Sequence, residues 1–194
     1  MADPGYIVNG VITDGEAWVG LGTTTIAGSP ATPVTFTSTN DGQVGDFSQY
    51  MDLVLVVYAR SEATGDPYTY ITLNNTTSFA AKHQDLQADG SSVSAGTYTE
   101  TGKAWIFREI NSTMTANAFS AGICHFFDIN SGKYKSMVSS SATDADGSGH
   151  AALYANTIET QAPISSIEIP VYSGSGWSVG STFSLFGILP RMVA

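Results

Sequence analysis

The alternation of apolar and polar residues along this chain predicts β-strands separated by turns. Over residues 167–172 the apolar side chains of Ile167, Ile169 and Val171 occupy every second position, which places them on one face of a strand. Val34–Thr37 alternates in the same way. Clusters of Gly, Asn, Asp, Ser and Pro separate such segments. The pattern yields about ten short strands, and this spacing predicts an all-β, jelly-roll-like antiparallel sandwich.

The segment 50–60, YMDLVLVVYAR, is predicted to be the central strand of this sandwich. Residues 53, 55 and 57 point to one face and residues 54, 56 and 58 to the other, and all six are apolar or aromatic. We therefore expect both faces to be covered, and we expect the strand to pair with a closing strand around Phe183 and Leu185. On this interpretation a Val56→Asp substitution unfolds the domain, because an unpaired buried charge costs several kcal/mol.

Three further segments complete the sandwich domain. The clearest hairpin runs over residues 119–129, turns at residues 130–132 and returns over residues 133–139. Residues 78–87 are the one place where the pattern allows a short helix, because Phe79, Ala80, Ala81 and Leu86 are spaced for one. Residues 89–96 are rich in Gly and Ser and are predicted to form a long polar loop.

The first 33 residues are predicted to form an extended amino-terminal arm with a short hairpin at Asn9-Gly10. Residues 16–33 carry Gly, Thr and Pro without a sustained period, which is typical of an arm that lies on a neighbouring subunit. We divide the chain into this arm, residues 1–33, which contacts subunits or a capsid, and a sandwich domain, residues 34–194. The interface candidates are Tyr6, Trp18, Leu21, Ile26 and Trp177.

Composition and charge exclude several classes of partner. The chain has 7 Lys and Arg against 17 Asp and Glu, which gives a net charge of −10, and it has no basic cluster. We therefore expect it to bind neither nucleic acid nor an anionic membrane surface. The amino end lacks a basic, apolar secretory signal, so we expect synthesis in a cytoplasm. The single Cys124 cannot form an internal disulfide, so stability must come from packing or subunit association.

Motifs that could carry chemistry are better explained as turns and core residues. Gly176–Gly180 fits G-x-S-x-G, but no His or acid follows it, so we interpret it as a turn in which Trp177 is exposed. Residues 144–149 resemble a calcium loop but lack its final Glu. His83, His125 and His150 are not at zinc-ligand spacing. We expect no catalytic residue, no metal site and no cofactor, although carboxylate pairs can meet only in the fold.

Several strand and turn segments follow one another in a recognisable order. They are VTF at 34–36, YMDLVLVVYARS at 50–61, LNN at 73–75, DGSS at 89–92, ISSIEI at 164–169 and GSTFSLFGI at 180–188. This order resembles that of a group of small tailed-phage virion proteins, frequent in phages of aquatic bacteria, over residues 34–189. The resemblance implies a non-enzymatic, homotrimeric structural protein with a jelly-roll-like sandwich, used for capsid decoration or in a tail fibre.

Three functions follow as hypotheses. The leading one is a capsid decoration (cement) protein on the outer surface of the virion, which stabilises the head and contacts itself and the major capsid protein or other virion proteins. The alternative is a tail-fibre or receptor-binding module that uses exposed aromatic residues such as Trp177 to contact a host surface glycan or protein. An enzyme that degrades surface polysaccharide ranks third.

Overall fold

A computed structural model describes residues 7–8, 11–12, 18–65, 68–109, 111–144, 149–172 and 176–189. Within these ranges the chain is built almost entirely of antiparallel strands, and the one helical element is a single 3-10 turn, Phe47–Gln49. Two short strands, β1 (Ile7–Val8) and β2 (Val11–Ile12), pair with each other as the Asn9-Gly10 turn predicts. No helix in the described ranges is long and apolar enough to cross a membrane.

Twelve further strands form two sheets of unequal size, and the predicted all-β sandwich is confirmed. The large sheet has eight strands, which in spatial order are β3 (Trp18–Thr25), β14 (Thr182–Ile188), β5 (Asp52–Ala59), β10 (Ser120–Phe127), β11 (Lys135–Asp144), β12 (Gly149–Ile158), β7 (Ala80–Ala88) and β8 (Val93–Thr101). The small sheet has four, which in spatial order are β4 (Val34–Thr37), β13 (Ser166–Ile169), β6 (Tyr68–Leu73) and β9 (Ala104–Arg108).

The hydrophobic core lies between the two sheets. Along β11 buried and exposed residues alternate without a break over all ten positions, so one face of the large sheet is turned inward. Leu53, Leu55 and Phe183 of the large sheet face Ile71 and Ile167 of the small sheet, and all five are almost completely buried. Burial of such side chains contributes roughly 1.5–3 kcal/mol each.

Two pairings predicted from the sequence are confirmed. β14 pairs with β5 so that Phe183 lies opposite Val57 and Leu185 opposite Leu55. β10 and β11 form the predicted hairpin, with residues 128–134 as the connection.

Cys124 lies on the inner face of β10 and is fully buried, and this burial raises the pKa of its thiol.

The predicted burial of both faces of the central strand is wrong. Leu53, Leu55 and Val57 point into the core, but Val56 and Tyr58 on the opposite face are 37% and 52% exposed. The reason is the architecture, because the small sheet covers one face of the large sheet and no segment of the described chain covers the other. Val54 is buried on that other face, where the register places it between Phe186 and His125.

Two other segments differ from the sequence-based predictions. Residues 80–88 are a strand, not a helix, because Ala81, His83 and Asp85 alternate as buried residues with exposed neighbours. Residues 93–101, predicted in part as a loop, form β8, which pairs with β7 along its full length around a turn at residues 89–92. Asp89 organises that turn by accepting bonds from the backbone amides of Ser91 and Ser92.

The predicted irregular arm contains a regular strand. β3 pairs with β14 from Trp18 to Thr25 and forms one edge of the large sheet, with a register shift opposite Leu185 and Phe186. β3 is an edge strand made largely of Gly and Thr, so its apolar and polar residues alternate only weakly. The sequence pattern therefore did not predict a strand there. The arm contact itself stays a prediction for residues that precede 18.

Two ionisable side chains are withdrawn from solvent, partly in Arg60 and almost completely in Glu109. The Arg60 guanidinium donates hydrogen bonds to the carbonyls of Ser112, Met114, Thr115 and Ala118, and so fixes the loop 112–118 against the large sheet. Glu109, just after β9, is 3% exposed, and its burial raises the pKa of the carboxyl group to about 8.

Candidate functional site

The uncovered face of the large sheet, which we call the outer face, is the first candidate site. On the six strands β8, β7, β12, β11, β10 and β5 the register aligns three straight rows of outward residues. The first row is Val93, Ala88, Ala151, Ala142, Ala121 and Tyr58. The second is Ala95, Leu86, Leu153, Ser140, Ile123 and Val56, and the third is Thr97, Gln84, Ala155, Val138, His125 and Val54.

These three rows contain no Asp, Glu, Lys or Arg, although the chain has a net charge of −10. Seven large apolar or aromatic residues in them are exposed, and these are Val56, Tyr58, Leu86, Val93, Ile123, Val138 and Leu153. Alanines fill most of the positions between them, so the face is apolar and flat. His125 and Tyr58 are the two ionisable residues of the rows, and Nε2 of His125 lies 2.9 Å from Oδ2 of Asp52.

The area of the outer face lies at the upper end of the range for apolar surface patches. Six strands at a spacing of about 4.8 Å and three rows at about 6.8 Å give a flat area on the order of 600 Å². Apolar patches on monomeric proteins rarely exceed about 300–600 Å², whereas a standard protein interface buries about 800 Å² on each partner. The outer face is therefore at the upper limit for an apolar patch on a monomer and makes up most of one partner's share of a standard interface.

A pocket of about 240 Å³ at the other side of the large sheet is the second candidate site. It exists because β9, the last strand of the small sheet, packs mainly over β12 and β11, so the β7–β8 hairpin extends beyond the small sheet. The hairpin and β12 form the floor with His83, Asp85, Gln87, Tyr98, Glu100 and Tyr154. Tyr68, Trp105 and Tyr172 form the wall.

The aromatic wall is rigidly packed. The ring of Trp105 meets that of Tyr68 edge to face, with centroids 5.7 Å apart, and that of Tyr172 in the same way at 4.9 Å. On the floor, Tyr98 stacks on His83 with centroids 5.0 Å apart. Aromatic rings therefore line the pocket from two sides.

Polar groups at the pocket floor are buried and fixed by one another. Gln87 accepts a hydrogen bond of 2.8 Å from Nη1 of Arg108 and donates through Nε2 to Oδ2 of Asp85. The second carboxylate oxygen of Asp85, Nδ1 of His83 and the hydroxyl of Tyr154 have no hydrogen-bond partner within the described chain. These three side chains are more than nine-tenths buried and line the pocket, and the three unpartnered atoms themselves have almost no exposed surface, so they lie just beneath the pocket floor.

Burial sets the protonation of two of these groups. It lowers the pKa of His83, so the imidazole is neutral at pH 7 and carries both one donor and one acceptor nitrogen. It raises the pKa of the Tyr154 hydroxyl, which therefore stays protonated. The pocket floor thus combines two acidic side chains, Asp85 and Glu100, with neutral groups that both donate and accept hydrogen bonds.

This pocket was not predictable from the sequence, because its acidic and aromatic residues are spread over residues 68–172. The two carboxylates are not close along the sheet. Glu100 lies opposite Ala81, four residues from Asp85 on the same strand, a backbone separation of about 13 Å. A pair that cleaves glycosides has carboxyl groups about 5–9.5 Å apart, so this arrangement favours binding over hydrolysis.

The predicted interface residues are not brought together. Trp177 is fully buried, where it packs on Phe183 and donates from Nε1 to the carbonyl of Ile169, so its predicted exposure is wrong. Ile26 is also buried in the core, and Leu21 packs against it. Trp18 is exposed at the edge of the large sheet, beside Phe186. Tyr6 lies outside the described residues.

Within the described ranges no three His, Cys, Asp or Glu side chains cluster in a way that could hold a metal ion. Residues 145–148 of the calcium-like loop lie outside those ranges. Comparison of the chain with protein-family models, curated proteins and solved structures finds no match.

Proposed function

We propose that this chain is a non-enzymatic structural protein of a phage virion, and specifically a capsid decoration protein that stabilises the head from outside. The observation that carries the proposal is the outer face, an uncharged and largely apolar sheet surface that the described chain leaves uncovered. The strand and turn order of residues 34–189, with its resemblance to phage virion proteins, supports the virion as the place of assembly.

The occupant of the outer face in this proposal is a second copy of the same chain. Two copies that each carry a charge of −10 repel one another unless the contact surfaces are uncharged, and the three rows of the outer face fulfil this condition. The exposed apolar residues of the face, such as Leu86, Ile123 and Leu153, are side chains that a neighbouring subunit can cover. The assembly we expect is the homotrimer implied by the resemblance, in which the outer face of each subunit packs against a different surface of the next subunit, as threefold symmetry requires.

Sedimentation equilibrium of the purified chain tests self-association. A Val138→Lys variant places a charge in the third row of the outer face, and a Val44→Lys variant is the matched control, because the two valines are 43% and 40% exposed and Val44 lies in a loop. We expect the wild type and Val44→Lys to be trimeric and Val138→Lys to be monomeric. A monomeric wild type, or equal association of both variants, would contradict self-association through this face.

Attachment to the particle tests the placement. Fluorescently labelled protein should bind to phage heads that lack it, through the major capsid protein or another virion protein, and should raise the temperature at which the heads open. The alternative placement in a tail fibre predicts binding to host cells and no binding to heads. No binding to heads would therefore reject the decoration role.

A further inference from the structure

We propose that the pocket between the β7–β8 hairpin and the aromatic wall binds one neutral sugar unit of a saccharide. This inference goes beyond the structural role and does not depend on it, because the pocket lies on the inner side of the large sheet and shares no residue with the three rows of the outer face. A volume of about 240 Å³ is of the size of a single pyranose ring with its hydroxyl groups.

The aromatic wall suits the apolar side of a sugar. The C–H groups on one face of a pyranose ring carry a partial positive charge, and the faces of aromatic rings carry a partial negative one. Tyr98 on the floor and Trp105 and Tyr172 on the wall offer such rings on two sides of the pocket. Their mutual packing fixes them before a ligand arrives, which reduces the entropy lost on binding.

The floor suits hydroxyl groups. The free oxygen of Asp85 accepts hydrogen bonds, while the Tyr154 hydroxyl and the neutral His83 ring can each donate or accept. Sugar hydroxyls do both, so a saccharide satisfies these groups in a bound state in which the side chains of the floor shift enough to expose the three buried atoms. Leaving a buried polar group without a partner costs about 1–3 kcal/mol, so a ligand that satisfies them gains correspondingly.

A quaternary ammonium ion is the main competing ligand for an aromatic pocket with a carboxylate. It has no N–H or O–H group, so it would leave the Tyr154 hydroxyl and the His83 ring unpartnered. The ring of Tyr172 also already has a cation, since the ammonium group of Lys103 lies 4.9 Å from its centroid. The donor and acceptor pattern therefore favours a neutral polyhydroxylated ligand.

The space above Asp85 depends on a glycine. Gly96 lies opposite Asp85 in the hairpin, and a Cβ atom at this position would lie 2.5 Å from Oδ1 of Asp85 and 2.3 Å from the Tyr98 ring. The missing side chain leaves the room that the Asp85 carboxylate and the Tyr98 ring occupy beside the strand. Gly96 lies in an extended strand and not in a turn, so the backbone conformation does not require glycine at this position.

Saturation-transfer NMR with the whole protein tests the inference. The probes are glucose, galactose, mannose and N-acetylglucosamine, and choline serves as the cationic probe. We expect at least one sugar to bind and choline not to bind. Asp85→Asn removes the acceptor charge, and Tyr98→Ala removes one aromatic face from a side chain that is 54% exposed, so its folding is preserved.

Each variant should raise the Kd of the sugar about 5- to 10-fold, the worth of one aromatic contact or hydrogen bond. Tyr134→Ala is the matched control, because Tyr134 is also 54% exposed and lies outside the pocket, and its Kd should equal that of the wild type. The inference is overturned if no sugar binds, if choline binds instead, or if Tyr98→Ala binds as the wild type does. Sugar binding and attachment to phage heads are measured separately. Failure of one of them therefore does not change the conclusion drawn from the other.

Discussion

Replacement of Glu109 by Gln should remove a pH dependence of stability that comes from one buried carboxyl group. Glu109 is 3% exposed, and both of its carboxylate oxygens are buried. Burial raises its pKa in the folded chain to about 8, against an ordinary value of 4.5. The folded state thus holds a proton that the unfolded state releases, so stability is greatest below pH 4.5 and falls as the pH rises to about 8.

The magnitude follows from linkage. Between the two pKa values the free energy of unfolding falls by about 1.4 kcal/mol for each pH unit, which amounts to roughly 3 kcal/mol between pH 4.5 and pH 7. Gln has the shape of the protonated acid and no charge to bury. We therefore expect Glu109→Gln to match the wild type near pH 4.5 and to exceed its stability by roughly 3 kcal/mol at pH 7.

Urea unfolding at several pH values measures this difference, with the fluorescence of the buried Trp177 as the signal. A carbon-13 NMR titration of the glutamate side chains gives an independent value, and one carboxyl group should titrate near pH 8. If the stability difference between the two proteins is the same at pH 5 and pH 7.5, the argument from burial is refuted.

Three other substitutions test the fold. Arg60→Lys should lower the free energy of unfolding by about 2 kcal/mol in urea titrations, because an ammonium group cannot reproduce the fork that holds the loop 112–118; an unchanged value would contradict this. Trp177→Phe should cost about 2 kcal/mol and Trp18→Phe less than about 0.5 kcal/mol, since one is in the core and the other exposed; equal costs would show that the burial is misassigned. Val56→Asp should stay folded by circular dichroism and lose self-association by sedimentation, and an unfolded variant would restore the interpretation of Val56 as a core residue.

The strands that carry apolar residues on the core face were predictable from the sequence. In β14 the residues Phe183 and Leu185 alternate with half-buried neighbours, and both their strand and its pairing with β5 follow from the pattern. In β5 the pattern correctly indicated two apolar faces. It could not indicate that one of them is left open, since an apolar face looks the same whether its own chain or a second subunit covers it.

The β7–β8 hairpin was not predictable because its polarity is inverted. The buried positions of β7 include the polar residues His83 and Asp85. The apolar Leu86, next to Asp85 in the chain, is exposed on the outer face. Patterns that assign apolar residues to the interior therefore fail here, and the segment looked helical. Such local disagreement between sequence pattern and structure is expected where a strand forms a binding pocket instead of core.

Trp177 shows a different limit. Its neighbours Gly176 and Ser178 are typical of an exposed turn, but Gly176 adopts a φ of 101° that brings the chain against Ala31, and Trp177 donates its amide hydrogen to the carbonyl of that residue at 2.9 Å. The presence of glycine at position 176 correctly indicated a turn with a positive φ. Whether Trp177 points into the core or to solvent depends on pairing with residues more than 100 positions away, and a local sequence pattern does not contain that information.

An image reconstruction of the virion at side-chain resolution tests the central claim most directly. The account predicts this chain on the outer surface of the head, with Ile123, Val138 and Leu153 of the outer face covered by neighbouring copies. A reconstruction in which the chain is absent from the head, or in which these residues face solvent, would contradict it.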